Sequence, residues 1–384
     1  MRREKSTPRA GWQKRCEDAG FGFHSMGGTY WDESACYAFD AEQVARLEEV
    51  TADLHQLCIA AAAEVVEKRR FSEFAIPEPY HDFVAESFRR GDPSLFGRFD
   101  LAWNGEGEPK LLEYNADTPT ALLEASVIQW HWLEDLRGAR AGTRPALGKD
   151  SDQFNSLHEK LVARWQALKD QWGKDRLWLA CVKENEEDYD NVEYLRDCAI
   201  QGGFDARQLY MDDLGWNGDR FVDLEDAPIE ALFKLYPWEW MAAEEFGAHV
   251  PSSGTRFVEP AWKMLLSNKA LLVVLWEMNY GHPNLLPAYF SAQRFGAEYV
   301  KKPLLSREGS NVTLVRRKGV LREAGGYGTE GFVYQGLANV PDFDGRYAVI
   351  GSWIVGDAPA GIGIREDDSP ITRNSSHFVP HYFT

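Results

Sequence analysis

Residues 97–124 read GRFDLAWNGEGEPKLLEYNADTPTALLE, and the alternation inside this stretch decides the fold. Side chains two apart on a strand share a face. Arg98 and Asp100 therefore point one way while Phe99, Leu101 and Trp103 point the other, and Leu111, Glu113 and Asn115 repeat the pattern. Asn104, Gly105, Glu106 and Gly107 are strong turn formers. Closing the hairpin with Trp103 opposite Lys110 sets Asp100 against Glu113 and Arg98 against Asn115. Directly opposed like charges weaken a sheet, so the pair implies a cation, a shared proton or solvent between the carboxylates. Mg²⁺ takes oxygen ligands, one or two of them carboxylates, and completes its shell with water and phosphate oxygens. The Asn115 carbonyl is a further donor. Solvated charges on an exposed hairpin face produce the same spacing.

Downstream, Thr118 reads as an N-cap and Pro119 as a first helical residue, opening a helix through Leu122, Val127, Trp132 and Leu136. A helix N-terminus favours an anion, so Thr118 and Thr120 are candidates to hold a carboxylate or phosphate beside the metal, with simple capping as the other reading. Upstream, Asp40 and Gln43 form a capping box for a packing helix that runs to Arg70. Residues 138–149 lack periodicity and read as a linker. Then come a helix at 157–172, a buried strand at 175–182, a helix at 191–202 and a short strand at 232–236, an order that suggests a small α/β unit with a parallel sheet. Acidic residues cluster around it at Glu184, Glu186, Glu187, Asp188, Glu239, Glu244 and Glu245, and most read as solvated surface. Ser267 reads as the cap of a helix carrying Lys269. Strands at 299–305 and 312–316 flank the polar loop 306–311, whose backbone N–H groups suit phosphate oxygens, and further strands at 332–337, 346–355 and 360–365 make an α+β module. His377 and His381 are four apart, but Pro380 argues against a shared helix face, so both read as surface residues.

Composition narrows the class. The 384 residues exceed one ordinary core, so two or three subdomains are expected. Lys and Arg number 42 against 60 Asp and Glu, and a net charge of −18 argues against nucleic acid or an anionic membrane as partner while suiting a cationic small molecule. The five cysteines form no CxxC pair, so no thiol nucleophile is indicated and a reducing compartment fits. The basic start leads into no apolar run, no apolar stretch approaches the roughly 20 residues of a membrane helix, and a cytoplasmic location is expected. With no GxxxxGK[ST], no well-placed GxGxxG and no G-x-S-x-G, neither P-loop, Rossmann nor serine-hydrolase chemistry is supported.

The chain resembles the glutathionylspermidine synthase family of ATP-grasp ligases, and its stand-alone acid-amine ligase members in particular. The resemblance runs through GRFD (97–100), LLEYNADTPTALLEA (111–125), EPAWKMLLSNKALLVVLWEM (259–278), VKKPLLSREGSN (300–311) and GIREDDS (363–369). It implies an ATP-grasp core of two α+β subdomains, residues 1–130 and 256–384, around an inserted α/β substrate-binding unit at 131–255. It further implies Mg²⁺ on Asp100, Glu113 and Asn115. Arg98 and Arg365 would be the catalytic arginines at the transferring phosphoryl group, with Phe99 in the cofactor-binding stretch beside Arg98. Lys269 and Lys302 would serve the ATP phosphates and the adenine side. Glu308 and Gly309 fall in the phosphate-covering loop, and Gln335, Leu337 and Ile371 in the nucleotide pocket. The implied reaction joins a carboxylic acid to an amine through an acyl phosphate. The Thr118-Pro119-Thr120 sequence replaces the serines of glutathione-using members, which points to a different acid. A kinase-like phosphotransferase and a noncatalytic Mg-ATP-binding module are the competing readings.

Overall fold

The computed structural model describes residues 1–138 and 145–384; of the proposed linker, 139–144 lie outside the described residues. The architecture is mixed α/β with several sheets. The hairpin of the opening stretch forms from Phe96–Ala102 and Lys110–Asn115, with Asp100 opposite Glu113 and Arg98 opposite Asn115. Past Asp100 the register shifts, so Lys110 faces Ala102 and not Trp103 as alternation alone predicts. The bulge leaves Leu112 as the extra residue. Its carbonyl accepts from Lys302 Nζ at 2.8 Å, and the Leu111 carbonyl accepts from Gln335 Nε2 at 3.0 Å. The edge strand thus spends its outer polar groups on a second sheet.

The hairpin is one side of a five-stranded antiparallel sheet completed by Tyr347–Val355, Ala358–Asp367 and His377–Val379. On its inner face the Phe99 ring stacks on Tyr114 at 3.9 Å, and the core continues to the long helix Ala41–Glu67. That helix begins with the expected capping box, Gln43 N donating to Asp40 at 2.8 Å, but ends three residues before Arg70. A second antiparallel sheet contains Tyr299–Pro303, Thr313–Arg316 and Phe332–Gln335 and carries Lys302 and Gln335. The third is fully parallel, in the order Arg256–Val258, Ala231–Lys234, Arg176–Cys181, Asp205–Tyr210. Its helix Glu186–Gln201 starts earlier than the apolar pattern indicates because Asn185 caps it, accepting from Asp188 N at 3.1 Å. Among the described residues no helix is long and apolar enough to cross a membrane.

Two other local expectations fail. The helix after the hairpin starts at Leu122, not at a Thr118 cap, with Ala121 before it at φ 64° and a π-helical turn at Glu124–Ile128. Ser267 is not an N-cap; it ends the short helix Lys263–Leu266, its hydroxyl accepts from Ala116 N at 3.0 Å, and the helix Ala270–Met278 begins after Lys269.

His381 is not a surface residue. The strand His381–Phe383 pairs parallel with Ala35–Phe39, which buries the ring, and its Nδ1 lies 2.9 Å from Gln129 Oε1. Burial pulls the imidazole down from 6.5 to about 3. The unfolded chain therefore binds the proton first, so this group's stability is full above the unfolded value and drains as pH falls toward the folded one. Between pH 6.5 and 5 the loss is about 2 kcal/mol. Urea unfolding at both pH values checks it: His381→Gln should show a smaller acid loss than wild type, and equal losses would refute the assignment.

Candidate active site

The outer face of the hairpin gathers the predicted charges. Asp100 Oδ1 accepts from Arg98 Nε at 2.8 Å and Asp100 Oδ2 from Arg365 Nη2 at 2.7 Å. Arg98 is buried, donates Nη1 to the Thr120 carbonyl at 2.5 Å and lies 5.6 Å over the Trp353 ring. Gly351, paired with Asp100, makes the room: a Cβ there would stand 2.8 Å from Arg98 Cδ. Across the hairpin Glu113 Oε2 is 3.1 Å from Lys269 Nζ. Burial pushes the Glu113 carboxyl up, but Lys269 and Lys302 outweigh it and hold it well below the usual carboxylate range.

Asn115 completes the set. Its amide nitrogen is 3.5 Å from Asp100 Oδ2 and 3.3 Å from Glu113 Oε1, both long for hydrogen bonds. With the amide turned over, Oδ1 takes that place and three side-chain oxygens converge. Among the described residues no group of three or more His, Cys, Asp or Glu side chains is arranged to hold a metal. Two carboxylates and an amide suit a hard ion that retains water and phosphate oxygens.

Between the two antiparallel sheets lies a pocket with a charged end at Asp100, Glu113, Lys269 and Lys302 and an apolar end at Val300, Leu314 and Ile371. Gln335 lines it, and Leu337 packs against the Val300, Leu314 and Ile371 cluster behind it. Phe99 does not enter, because its ring belongs to the core face. The loop 306–311 covers the charged end. The Ser306 carbonyl accepts from Lys269 Nζ at 2.5 Å, and Gly309 at φ 72° lies where a Cβ would meet Ile371 and the Thr372 carbonyl at 2.7 Å. Glu308 turns to a second cleft of about 300 Å³, which shares Asp100, Glu113 and Gly309 with the first.

Thr118 and Thr120 line this second cleft, together with Arg365 and residues of the parallel-sheet unit. The sequence reading did not single out Arg307, which donates to Thr118 Oγ1 and, at 2.9 Å, to Glu239. Its place inside the quoted loop was the available signal. Asp188, read among surface acids, is half-buried in the cleft wall. Burial and then repulsion from Glu187 raise its carboxyl to about 7. Tyr236 and Trp240, in edge-to-face contact at 5.6 Å, line the same cleft and carried no signal in sequence. The five cysteines take no part: all are buried, and burial pushes the Cys16 and Cys198 thiols up to about 12.

The profile of the family described as "Glutathionylspermidine synthase preATP-grasp" matches residues 3–384. A Haemophilus influenzae protein described as "Putative acid--amine ligase" is 44% identical over 383 residues, 95% of each chain. Trypanothione synthetase of Crithidia fasciculata is 30% identical over 356 residues, 85% of this chain and 53% of that one. The bifunctional glutathionylspermidine synthetase/amidase of Escherichia coli K12 is 28% identical over 373 residues, 88% of this chain and 57% of that one. This chain therefore spans little more than half the length of the last two. With the family profile matched from end to end and relatives that are named ligases, the chain belongs to the glutathionylspermidine synthase family and is a carbon–nitrogen ligase of an ATP-dependent kind.

Proposed function

We propose that this enzyme joins a small carboxylic acid to a small amine at the expense of ATP, through an acyl phosphate, on an ATP-grasp core. The observation that carries the reading is Asp100, a carboxylate facing a second carboxylate across the hairpin while gripped by two arginines. Asp100, Glu113 and Asn115 would hold Mg²⁺, which would supply neutralisation of the negative charge on the transferring phosphoryl group. Lys269 and Lys302 neutralise the phosphates at the charged end of the first pocket, and Gln335, Leu337 and Ile371 receive the base. Arg98 and Arg365 stabilise the negative charge that develops as the acid's carboxylate attacks the γ-phosphoryl group. Thr118 and Thr120 orient the acid in the second cleft. The loop bearing Glu308 and Gly309 keeps water from the acyl phosphate. The amine then attacks the activated carbonyl, and amide and phosphate leave. The parallel-sheet unit, which supplies Asp188, Tyr236 and Trp240 to the cleft, binds substrate.

ADP release from Mg-ATP across a matrix of acids (amino acids, dicarboxylates, glutathione) and amines (ammonia, amino acids, alkylamines, diamines, spermidine) tests this, with mass spectrometry on positive wells. ADP that requires both partners, with a product lighter than their sum by one water, is expected. Release with acid alone and no amide at any amine would replace the ligation step by phosphotransfer.

Lys302 gives the nucleotide site a pH dependence. Burial pulls its ammonium from 10.5 down to about 8, Glu113 opposing and Lys269 adding to the fall. The charge is present below that value and lost above it, so Mg-ADP affinity should weaken as pH rises through about 8. Calorimetric titrations of Lys302→Met should be weaker near neutrality and flat over the same interval; a parallel slope in the variant would assign the dependence elsewhere.

A further inference from the structure

A second glycine-rich loop lies against the phosphate-covering loop. Residues 324–331, AGGYGTEG, connect the strands Gly319–Arg322 and Phe332–Gln335. They grip the covering loop at both of its ends. At the near end one carboxylate oxygen of Glu330 accepts from Leu305 N at 3.4 Å and the other from Gly328 N at 2.8 Å. At the far end Asn311 Oδ1 accepts from Tyr327 N at 2.8 Å, and Asn311 N donates to the Ala324 carbonyl at 3.4 Å. Gly325 permits the approach, because a Cβ there would stand 2.5 Å from Asn311 Oδ1 and 2.7 Å from Ser310 Cβ. Four glycines in eight residues make 324–331 a costly segment to order, so these bonds to its neighbour decide whether it holds one conformation.

The covering loop depends on the same bonds. Glu308, Gly309 and Asn311 lie in the left-handed region, at φ 52°, 72° and 58°. Residues other than glycine keep that conformation where their surroundings impose it. On its other side the loop faces the chemistry: the Ser306 carbonyl accepts from Lys269 Nζ, Arg307 donates to Thr118 and Glu239, and Gly309 sits against Ile371 and Thr372. Asn311 itself lines neither the nucleotide pocket nor the second cleft. Whatever it contributes passes through the loop that carries it.

On the acid–amine reading, on which this inference rests, an acyl phosphate survives while water is shut out. We propose that Asn311 is a positioning residue whose side-chain carbonyl couples the two loops into one lid, so that 306–311 and 324–331 close together over the charged end of the nucleotide pocket. Losing that bond leaves the longer contact of Asn311 N at the far end, and the turn at Glu308 and Gly309 is freed to open. Water then reaches the activated acid while the residues that grip the phosphates stay in place.

Hydrogen–deuterium exchange of the full chain, read by mass spectrometry on peptides covering 306–311 and 324–331, tests the coupling without acid or amine. Asn311→Gly retains the left-handed backbone without strain and removes the acceptor, so exchange across 324–331 should rise about tenfold, the scale of one net hydrogen bond. Mg-ADP should slow exchange in both segments of the wild type, and in 306–311 alone in the variant. Unchanged exchange at 324–331 in the variant, or Mg-ADP protection in the wild type that is absent or confined to 306–311, would overturn the proposal whatever the activity screen returns. With the acid and amine that give amide, Asn311→Gly and Gly325→Ala should each lower amide formed per ADP about tenfold, on the same scale. Asn311→Asp retains an acceptor oxygen and tolerates φ 58°, and should stay near the wild-type ratio. Amide and ADP falling in equal proportion in Asn311→Gly would overturn the assignment and leave the ligase reading standing. No amide in wild type would overturn the ligase reading, with the exchange result still deciding the lid.

Discussion

Asp100→Asn is expected to lower ADP release with acid and amine at least about 10²-fold, the scale of losing one preorganised electrostatic group at a reacting phosphoryl or oxyanion. The substitution removes half of the negative charge available to a divalent ion. It also disrupts both arginines, because Arg98 Nε and Arg365 Nη2 donate to the two carboxylate oxygens at 2.8 and 2.7 Å. An amide offers one acceptor, and its NH₂ would oppose the other guanidinium. Arg98→Ala should cost a comparable factor with Asp100 left in place. Steady-state rates across a Mg²⁺ series separate the two: excess Mg²⁺ should recover part of the Asp100→Asn rate and none of the Arg98→Ala rate. Near-normal turnover in either variant, with folding verified by thermal melting, would remove the metal and phosphoryl roles from this hairpin.

Lys234→Met should destabilise the fold by about 3–5 kcal/mol, the cost of leaving a buried charge without its partner. Lys234 and Asp117 are both buried and lie 2.7 Å apart. Asp117 Oδ2 also accepts from Trp238 N at 2.9 Å, and Lys234 Nζ stands 4.3 Å over the Trp238 ring. The pair joins the parallel sheet to the loop that follows Asn115, so its loss leaves a buried carboxylate without its cation. Asp117→Asn combined with Lys234→Met should recover a large part of the loss, since neither charge is then stranded. Urea denaturation of the two single variants and the double variant measures it. A single-variant loss under about 1 kcal/mol would mean that the site relaxes or admits water.

The same pair explains where sequence reading ended. Thr118-Pro119 has the local chemistry of a helix start, yet Asp117 is drawn to Lys234 and Trp238 N and Thr118 to Arg307, so the chain stays out of a helix through Ala121. Ser267 has the chemistry of a cap but is claimed by Ala116 N. The hairpin register was legible as far as Asp100 because alternation is a local property. It failed at Leu112 because that bulge is set by Lys302, about 190 residues away in sequence.

By itself the amino-acid sequence determined the hairpin and the face on which Arg98, Asp100, Glu113 and Asn115 stand, since period-two alternation around a glycine-rich turn admits one arrangement near the site. It also determined the capped long helix and the strand–helix–strand unit, whose signals lie within a few residues of one another. Only the tertiary structure decided that Arg365 shares Asp100 with Arg98, that Asp188, Tyr236 and Trp240 face the cleft, that His381 is buried, and that Glu124, among the described residues, is a buried carboxylate without an ion pair. Those facts depend on which distant segments meet, and burial and charge pairing are properties of the packed chain that no local pattern encodes.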